Sequence, residues 1–97
     1  MASYRLVFKR SVATDLRAIP NRDVRRILDR IESLQDEPRP PGCEKLSGQE
    51  RYRIRQGQYR IIYGIEDDLL VVTVVKVGHR RHVYFKTSTS RSLIPTP

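Results

Sequence analysis

Arginine side chains recur at alternate positions in the stretch RYRIRQGQYRIIYGI, residues 51–65. Alternate residues of a β-strand share one face of a sheet, so the stretch predicts a hairpin with one apolar face and one basic face. The basic face would carry Arg51, Arg53, Arg55 and Arg60. Guanidinium groups bind phosphate through paired hydrogen bonds, which favours recognition of a polyanion. A solvated basic face kept for solubility is the alternative.

A second basic and aromatic segment follows the last predicted strand. It contains His79, Arg80, Arg81, His82 and Tyr84. If this segment curls toward the basic face of the hairpin, both groups of residues converge on one concavity. An exposed tyrosine can stack on a splayed base, and histidine titrates near neutral pH. The combined set therefore suits RNA.

The chemistry that this set allows is cleavage without a metal. No carboxylate pair, Cys/His cluster, Ser/His/Asp arrangement or glycine-rich phosphate loop accompanies it, so the sequence predicts neither a metal nor a cofactor. A ribose 2'-hydroxyl can attack the neighbouring phosphate if the protein deprotonates it, neutralises the phosphorane and protonates the leaving oxygen. DNA lacks this hydroxyl and would be spared.

The elements that must position these residues follow from periodicity. Residues 4–8 alternate as a first strand, and a short helix begins at an N-cap on Ser11 and stops at Pro20. A longer helix, capped by Asn21, carries a continuous apolar stripe and ends at Pro38. Residues 38–48 are predicted to be a loop. Residues 69–77, LLVVTVVKV, are apolar on both faces, as expected of a central strand.

The hairpin register is predicted from its loop. A two-residue loop at Gln56-Gly57 sets Arg60 opposite Arg53 and keeps the apolar and basic faces separate. The fold class is then α+β, in the order β-α-α-β-β-β, with a mostly antiparallel twisted sheet and both helices packed on the apolar face. Residues 1–86 would form one domain, followed by a Ser/Thr/Pro-rich tail at 87–97.

Composition limits the partners and the compartment. The formal net charge is +8, and residues 51–97 carry 9 basic but only 3 acidic side chains. This asymmetry favours a polyanionic partner such as nucleic acid or an acidic protein. Cys43 is the only cysteine, so no internal disulfide can form. Without a signal peptide or a membrane-length apolar run, we expect a cytoplasmic protein with no membrane partner.

The order of elements, the spacing LSGQERYRIRQGQYRIIYGI and the closing VGHRRHVY resemble the RelE branch of the RelE/ParE toxin superfamily. The resemblance covers roughly Tyr4 to Tyr84. It implies the RelE-like microbial RNase fold and a toxin of a type II toxin-antitoxin system. Such a toxin cleaves mRNA on the ribosome, in the A site of the 30S subunit, and inhibits translation. It is held inactive by an acidic RelB-like antitoxin and meets operator DNA only through that complex.

The resemblance also implies roles for individual residues. Arg60 would hold the scissile phosphate, Arg80 would assist the leaving 5' oxygen, and Tyr84 would stack on the base and orient the attacking hydroxyl. Arg53 and Arg55 would anchor the backbone, with Arg55 at a catalytic position. We also predict substrate contacts from Arg51, His79 and Arg81.

The identity of the general base is left open by one departure from the family. The well-studied pattern has lysines where this chain has Arg53 and Arg55, and arginine is effectively never deprotonated. The alternatives are His79, His82 or electrostatic stabilisation without a base; we favour His82 because it is close to Tyr84.

Two other functions compete with the nuclease. A ParE-like toxin of the same fold would inhibit DNA gyrase without cleaving anything. A basic module that binds RNA or protein would have no catalytic activity at all.

Overall fold

The computed structural model describes residues 3–48 and 50–79, and the predicted site residues Arg80, Arg81, His82 and Tyr84 and the tail at 87–97 lie outside them. The described chain forms two helices and five strands. They are β1 (Arg5–Phe8), α1 (Arg10–Arg17), α2 (Asn21–Ser33), β2 (Glu44–Lys45), β3 (Arg51–Gln56), β4 (Tyr59–Glu66) and β5 (Val71–His79). The α+β class is confirmed.

The five strands form one mixed sheet in the order β1-β5-β4-β3-β2. β1 runs parallel to β5, and every other neighbouring pair is antiparallel. The apolar stripes of both helices pack on one face of this sheet, as predicted. The buried cluster between them consists of Val12, Ile19, Ile27, Ile31, Leu34, Ile54, Ile61, Tyr63, Val72, Val74 and Val77.

Several predicted boundaries differ from the structure. α1 and α2 begin after Lys9 and Pro20, whose side chains make no capping hydrogen bond, so Ser11 and Asn21 lie inside the helices. α2 ends at Ser33 rather than continuing to Pro38. β5 starts at Val71 and includes Gly78 and His79, because pairing with β4 continues to the Tyr59–His79 pair.

The predicted loop at 38–48 contains an additional strand, β2. Its two residues pair with β3, with Glu44 opposite Arg53 and Lys45 opposite Tyr52. Two residues are too few to show a period, and the surrounding Pro/Gly composition indicates only a loop. Pairing with the edge of β3 is what makes this segment a strand.

The predicted hairpin register was wrong. The loop is Gly57-Gln58, and Arg60 lies opposite Arg55 rather than Arg53. Gly57 has a φ of 62°, the positive value that the first central residue of a type II′ turn requires. Glycine at the first loop position was the signal for the correct register. Each partner moves by two residues along the opposite strand, so every side chain keeps its predicted face.

A cluster around Arg39 joins the segment after α2 to the turn between β4 and β5. Its guanidinium donates two hydrogen bonds to Asp67, at 3.2 and 2.9 Å. The same carboxylate accepts a hydrogen bond of 2.8 Å from the hydroxyl of Tyr4. Arg39 also lies over the ring of Tyr52, with its Cζ 5.2 Å from the ring centroid. Three distant parts of the chain are thereby tied together.

Beyond Val74, β5 has a strand neighbour on one side only, β4, because β1 ends at Phe8. Asp15 of α1 takes the place of a neighbour on the other side. Its Oδ2 accepts a hydrogen bond of 3.1 Å from the backbone N–H of Val77, and its Oδ1 lies 3.4 Å from Nζ of Lys76. An unpaired N–H at this position would cost free energy, so Asp15 stabilises the strand that leads to His79.

Within the described ranges no helix is long and apolar enough to cross a bilayer.

Candidate nucleic-acid interface

The face of the sheet turned away from the helices carries the predicted arginines and is called the arginine face. Register defines it: Arg55 lies opposite Arg60, and Arg53 lies opposite Ile62. Arg51 lies two pairs further along the strand, opposite Gly64. The structure therefore brings four of the predicted site residues to one face of β3 and β4. Ile62, only 8% exposed, lies among them.

The arginines differ in their exposure. Arg55 is exposed, whereas Arg51, Arg53 and Arg60 are half-buried. A half-buried guanidinium loses fewer conformations when it binds a ligand, and its charge is less screened by water. Arg60 on the inner strand β4 and the exposed Arg55 beside it form the part of this face best suited to bind an anion.

The carboxylate of Glu44 faces the arginines. Its Oε1 accepts hydrogen bonds from both Nε and Nη2 of Arg53, at 3.1 and 2.6 Å. The hydrogen bond from Arg53, and more weakly the charges of Arg55 and Arg60, hold the pKa of Glu44 below its ordinary value. Glu44 therefore remains ionised and lies within electrostatic reach of three guanidinium groups.

Glu44 was not among the residues predicted for the site. It lies on the two-residue strand β2, in the segment predicted to be a loop. No periodic signal marks Glu44. The one hint in the sequence was that Glu44 comes a few residues before the arginine-rich strand β3, close enough for the chain to fold back beside it.

His79 lies on the opposite face from Arg60. It pairs with Tyr59, and their rings meet edge to face with centroids 5.9 Å apart. Its Nε2 lies 3.0 Å from Oε1 of Gln58 in the hairpin turn. The structure thus places His79 at the same end of the sheet as Arg55 and Arg60 but on the helix side.

No group of three or more His, Cys, Asp and Glu side chains within residues 3–48 and 50–79 is placed to hold a metal ion. The described part of the arginine face offers guanidinium groups with the carboxylate of Glu44 beside them. Such a set can neutralise a phosphate and accept a proton, two of the three tasks that metal-free transesterification requires.

Comparison with known proteins identifies the family. Residues 6–84 match the family described as the ParE toxin of the type II toxin-antitoxin system, parDE. Among solved structures, a chain of the RelE-RelB complex from Pyrococcus horikoshii shares 31% identity with a TM-score of 0.72. The match covers 80% of this chain and 96% of that chain.

Two further structures are similar. A chain of the RelBE2 toxin-antitoxin complex from Mycobacterium tuberculosis is 26% identical, with a TM-score of 0.71, covering 80% of this chain and 99% of that one. The isolated RelE toxin of Escherichia coli is also 26% identical, with a TM-score of 0.70, covering 88% and 95%. No curated protein sequence matches the chain significantly.

The fold is shared with these toxins of toxin-antitoxin systems. The chain belongs to the RelE/ParE superfamily of type II toxin-antitoxin toxins.

Proposed function

We propose that this toxin is a metal-free endoribonuclease that cleaves mRNA in the ribosomal A site and thereby inhibits translation. The observation that carries the proposal is the arginine face itself, where Arg55 and Arg60 lie side by side on neighbouring strands. Like charges placed opposite each other destabilise a sheet, and binding of an anion offsets that repulsion. The phosphates of RNA supply that charge.

Arg60 is the residue that would hold the scissile phosphate. It is half-buried on β4, and Arg55 and Arg53 flank it from β3. Attack by the 2'-hydroxyl builds negative charge on the phosphorane oxygens, and fixed guanidinium groups stabilise that charge more than they stabilise the ground state. In this proposal Arg51 binds the backbone further along the strand. Arg80 assists the leaving oxygen and Tyr84 stacks on the base.

Glu44 is the general base in this mechanism. Of the carboxylates on the arginine face, Glu44 is the one that hydrogen-bonds an arginine beside the proposed phosphate site, whereas Glu66 lies at the far end of β4. The arginines lower the pKa of Glu44, so its carboxylate is ionised at neutral pH but is a weaker base than an ordinary glutamate. His82, the base favoured on sequence grounds, remains a prediction, and the two assignments differ in their pH dependence.

An acidic antitoxin of the RelB type is the proposed partner that keeps the toxin inactive. The net charge of +8 favours an acidic chain, and two of the similar solved structures are RelB-RelE type complexes. The structure offers an apolar cavity of about 420 Å³ between β1 and the helices, lined by Phe8, Val12, Leu16 and Leu28. Lys9 and Arg10 border it. An amphipathic acidic segment fits this combination, and operator DNA would be met only through the complex.

The proposal is tested by inducing the toxin in growing cells and mapping RNA ends by primer extension on a translated mRNA. Cuts within translated codons are expected. Arg60→Ala should reduce cutting by about 10²–10³-fold, the usual loss for one transition-state donor. Arg25→Ala, an exposed arginine on α2, should cut like the wild type.

A second function, inhibition of gyrase, is favoured by the match to the ParE toxin family. In the same cells it would give DNA-damage signalling with intact mRNA. That outcome, or growth arrest with neither effect, would overturn the nuclease proposal.

A further inference from the structure

A polar pocket lies beside the hairpin turn, on the helix side of the sheet. We call it the turn pocket; its volume is about 300 Å³. It is lined by Asp23 and Arg26 of α2 and by Gln56, Gly57, Gln58 and Tyr59 of the hairpin. Five of these six residues carry a side chain that donates or accepts hydrogen bonds. A cavity with so many polar side chains suits a ligand that presents several hydrogen-bond donors and acceptors.

Hydrogen bonds hold several of these side chains in place. The hydroxyl of Tyr59 donates a hydrogen bond of 3.2 Å to Oδ2 of Asp23. Burial, and then this hydrogen bond, raise the pKa of Tyr59, so the phenol stays protonated and continues to donate. Gln58 is held by His79, whose Nε2 lies 3.0 Å from its Oε1. The carboxylate of Asp23 is therefore fixed as an acceptor in the pocket.

The turn pocket lies close to the proposed phosphate site. Gln56 and Tyr59 are the sequence neighbours of Arg55 and Arg60, and only the two-residue turn separates the two faces of the hairpin here. At the turn, Gly57 leaves open space where a side chain would stand: no atom lies within 4 Å of an added Cβ. A nucleotide next to the one bound by the arginines can pass around this turn.

We propose that the turn pocket binds a guanine base of the RNA strand held on the arginine face. Guanine presents adjacent N–H donors on its Watson–Crick edge and the acceptors O6 and N7 beside them. Asp23 accepts from the N–H groups and Arg26 donates to the acceptors, while Gln56 and Gln58 complete the contacts. Adenine and uracil cannot offer two neighbouring donors to one carboxylate. The pocket thus makes the toxin selective for guanine near its cut.

This inference rests on the proposed cleavage of RNA, and it deepens that function by naming what determines the choice of site. The first test does not require cleavage. The full-length toxin is titrated with guanosine 5'-monophosphate and separately with adenosine 5'-monophosphate, and the backbone amide signals of residues 56–59 are followed by NMR. We expect these signals to move with guanosine monophosphate at concentrations about tenfold lower than with the adenosine compound.

The decisive variant is Asp23→Asn, which replaces an acceptor facing the guanine N–H groups by an amide and should abolish the tenfold preference. Asp29→Asn removes an acid from the same helix outside this pocket and is the matched control. Thermal melting of both variants confirms that they are folded. Equal shifts with both nucleotides, or an unchanged preference in Asp23→Asn, would overturn the proposal.

The second test uses cleavage. RNA ends are sequenced genome-wide after induction of the wild type, Asp23→Asn and Asp29→Asn. Guanine should be enriched at one fixed position near the wild-type and Asp29→Asn cuts, and lost from the Asp23→Asn cuts. Cleavage whose sequence preference is the same in all three proteins would refute the turn pocket but leave the nuclease intact. Guanosine monophosphate binding without any cleavage would leave the pocket intact and refute the nuclease.

Discussion

Arg55 and Arg60 lie directly opposite each other on neighbouring strands, with their side chains on the same face of the sheet. The arrangement opposes stability, because like charges across a ladder repel. It is retained here at the centre of the surface proposed to bind RNA. Substituting one arginine of this pair should therefore raise the stability of the fold and lower the rate of cleavage.

Arg55→Ala should raise the free energy of unfolding by up to roughly 1 kcal/mol, because it removes the repulsion at an exposed position. The same change should slow RNA cleavage by about 10- to 100-fold, the worth of one charged hydrogen bond to phosphate. Urea unfolding and primer extension measure the two effects. Arg25→Ala should change neither, and an Arg55→Ala protein that is less stable and fully active would contradict the assigned role.

Glu44→Gln should reduce cleavage by about 10²–10⁴-fold if its carboxylate takes the proton from the 2'-hydroxyl. RNA binding should persist or tighten, since a negative charge leaves the arginine face. Binding of an uncleavable 2'-O-methyl RNA, measured by fluorescence anisotropy, separates the two effects. Loss of binding in step with cleavage would show that Glu44 only positions Arg53.

The pH dependence of cleavage distinguishes Glu44 from His82. The base acts when deprotonated, and the arginines lower the pKa of Glu44, so its activity is lost only as pH falls through a value below the ordinary glutamate pKa. Between about pH 5 and 8 the rate should then show no acid limb, whereas a histidine base would give one near pH 6.5. A limb in that window that disappears in His82→Gln would assign the role to His82.

Asp67→Asn should lower the melting temperature at neutral pH. The hydrogen bonds from Arg39, and then from Tyr4, hold the pKa of Asp67 below its usual range. Its contribution to stability is therefore present above the unfolded-state pKa and is lost as pH falls through the lower folded-state pKa. The difference in melting temperature between wild type and variant should vanish in strong acid. Asp68→Asn, the neighbouring residue, is the control; a difference that persists below the folded-state pKa would show that packing, not charge, is lost.

Tyr63→Phe should destabilise the fold by about 1–2 kcal/mol while leaving the apolar core filled. The fully buried Tyr63 donates a hydrogen bond of 2.7 Å to the carbonyl oxygen of Pro38, and its hydroxyl lies 3.4 Å from Sγ of Cys43. Burial, and then the contact with Cys43, raise the pKa of Tyr63, so the hydroxyl stays a donor. Urea unfolding measures the loss. An unchanged midpoint would mean that another group satisfies Pro38.

Periodicity predicted the two faces of the hairpin correctly, because a shift of register by two residues leaves every side chain on its face. The pairing itself depended on Gly57, whose positive φ places the turn one residue later than predicted. The faces of Arg51, Arg53, Arg55 and Arg60 were therefore predictable from alternation, whereas their partners were not.

Contacts between distant segments account for what the sequence did not show. Glu44 reaches the arginine face only because a two-residue strand pairs with the edge of β3. His79 turns to the helix side because β5 continues past Gly78 and pairs with Tyr59. The link between Arg39 and Asp67 joins residues 28 positions apart, and no local pattern encodes it.

The parallel pairing of β1 with β5 has a consequence for biosynthesis. Arg5 pairs with Val71, so β1 cannot take its place in the sheet until β5 has been synthesised. Such long-range pairing folds slowly. While the nascent chain is still threaded through the exit tunnel, the hairpin has no finished core to support it. The sheet can therefore close only after β5 has left the exit tunnel.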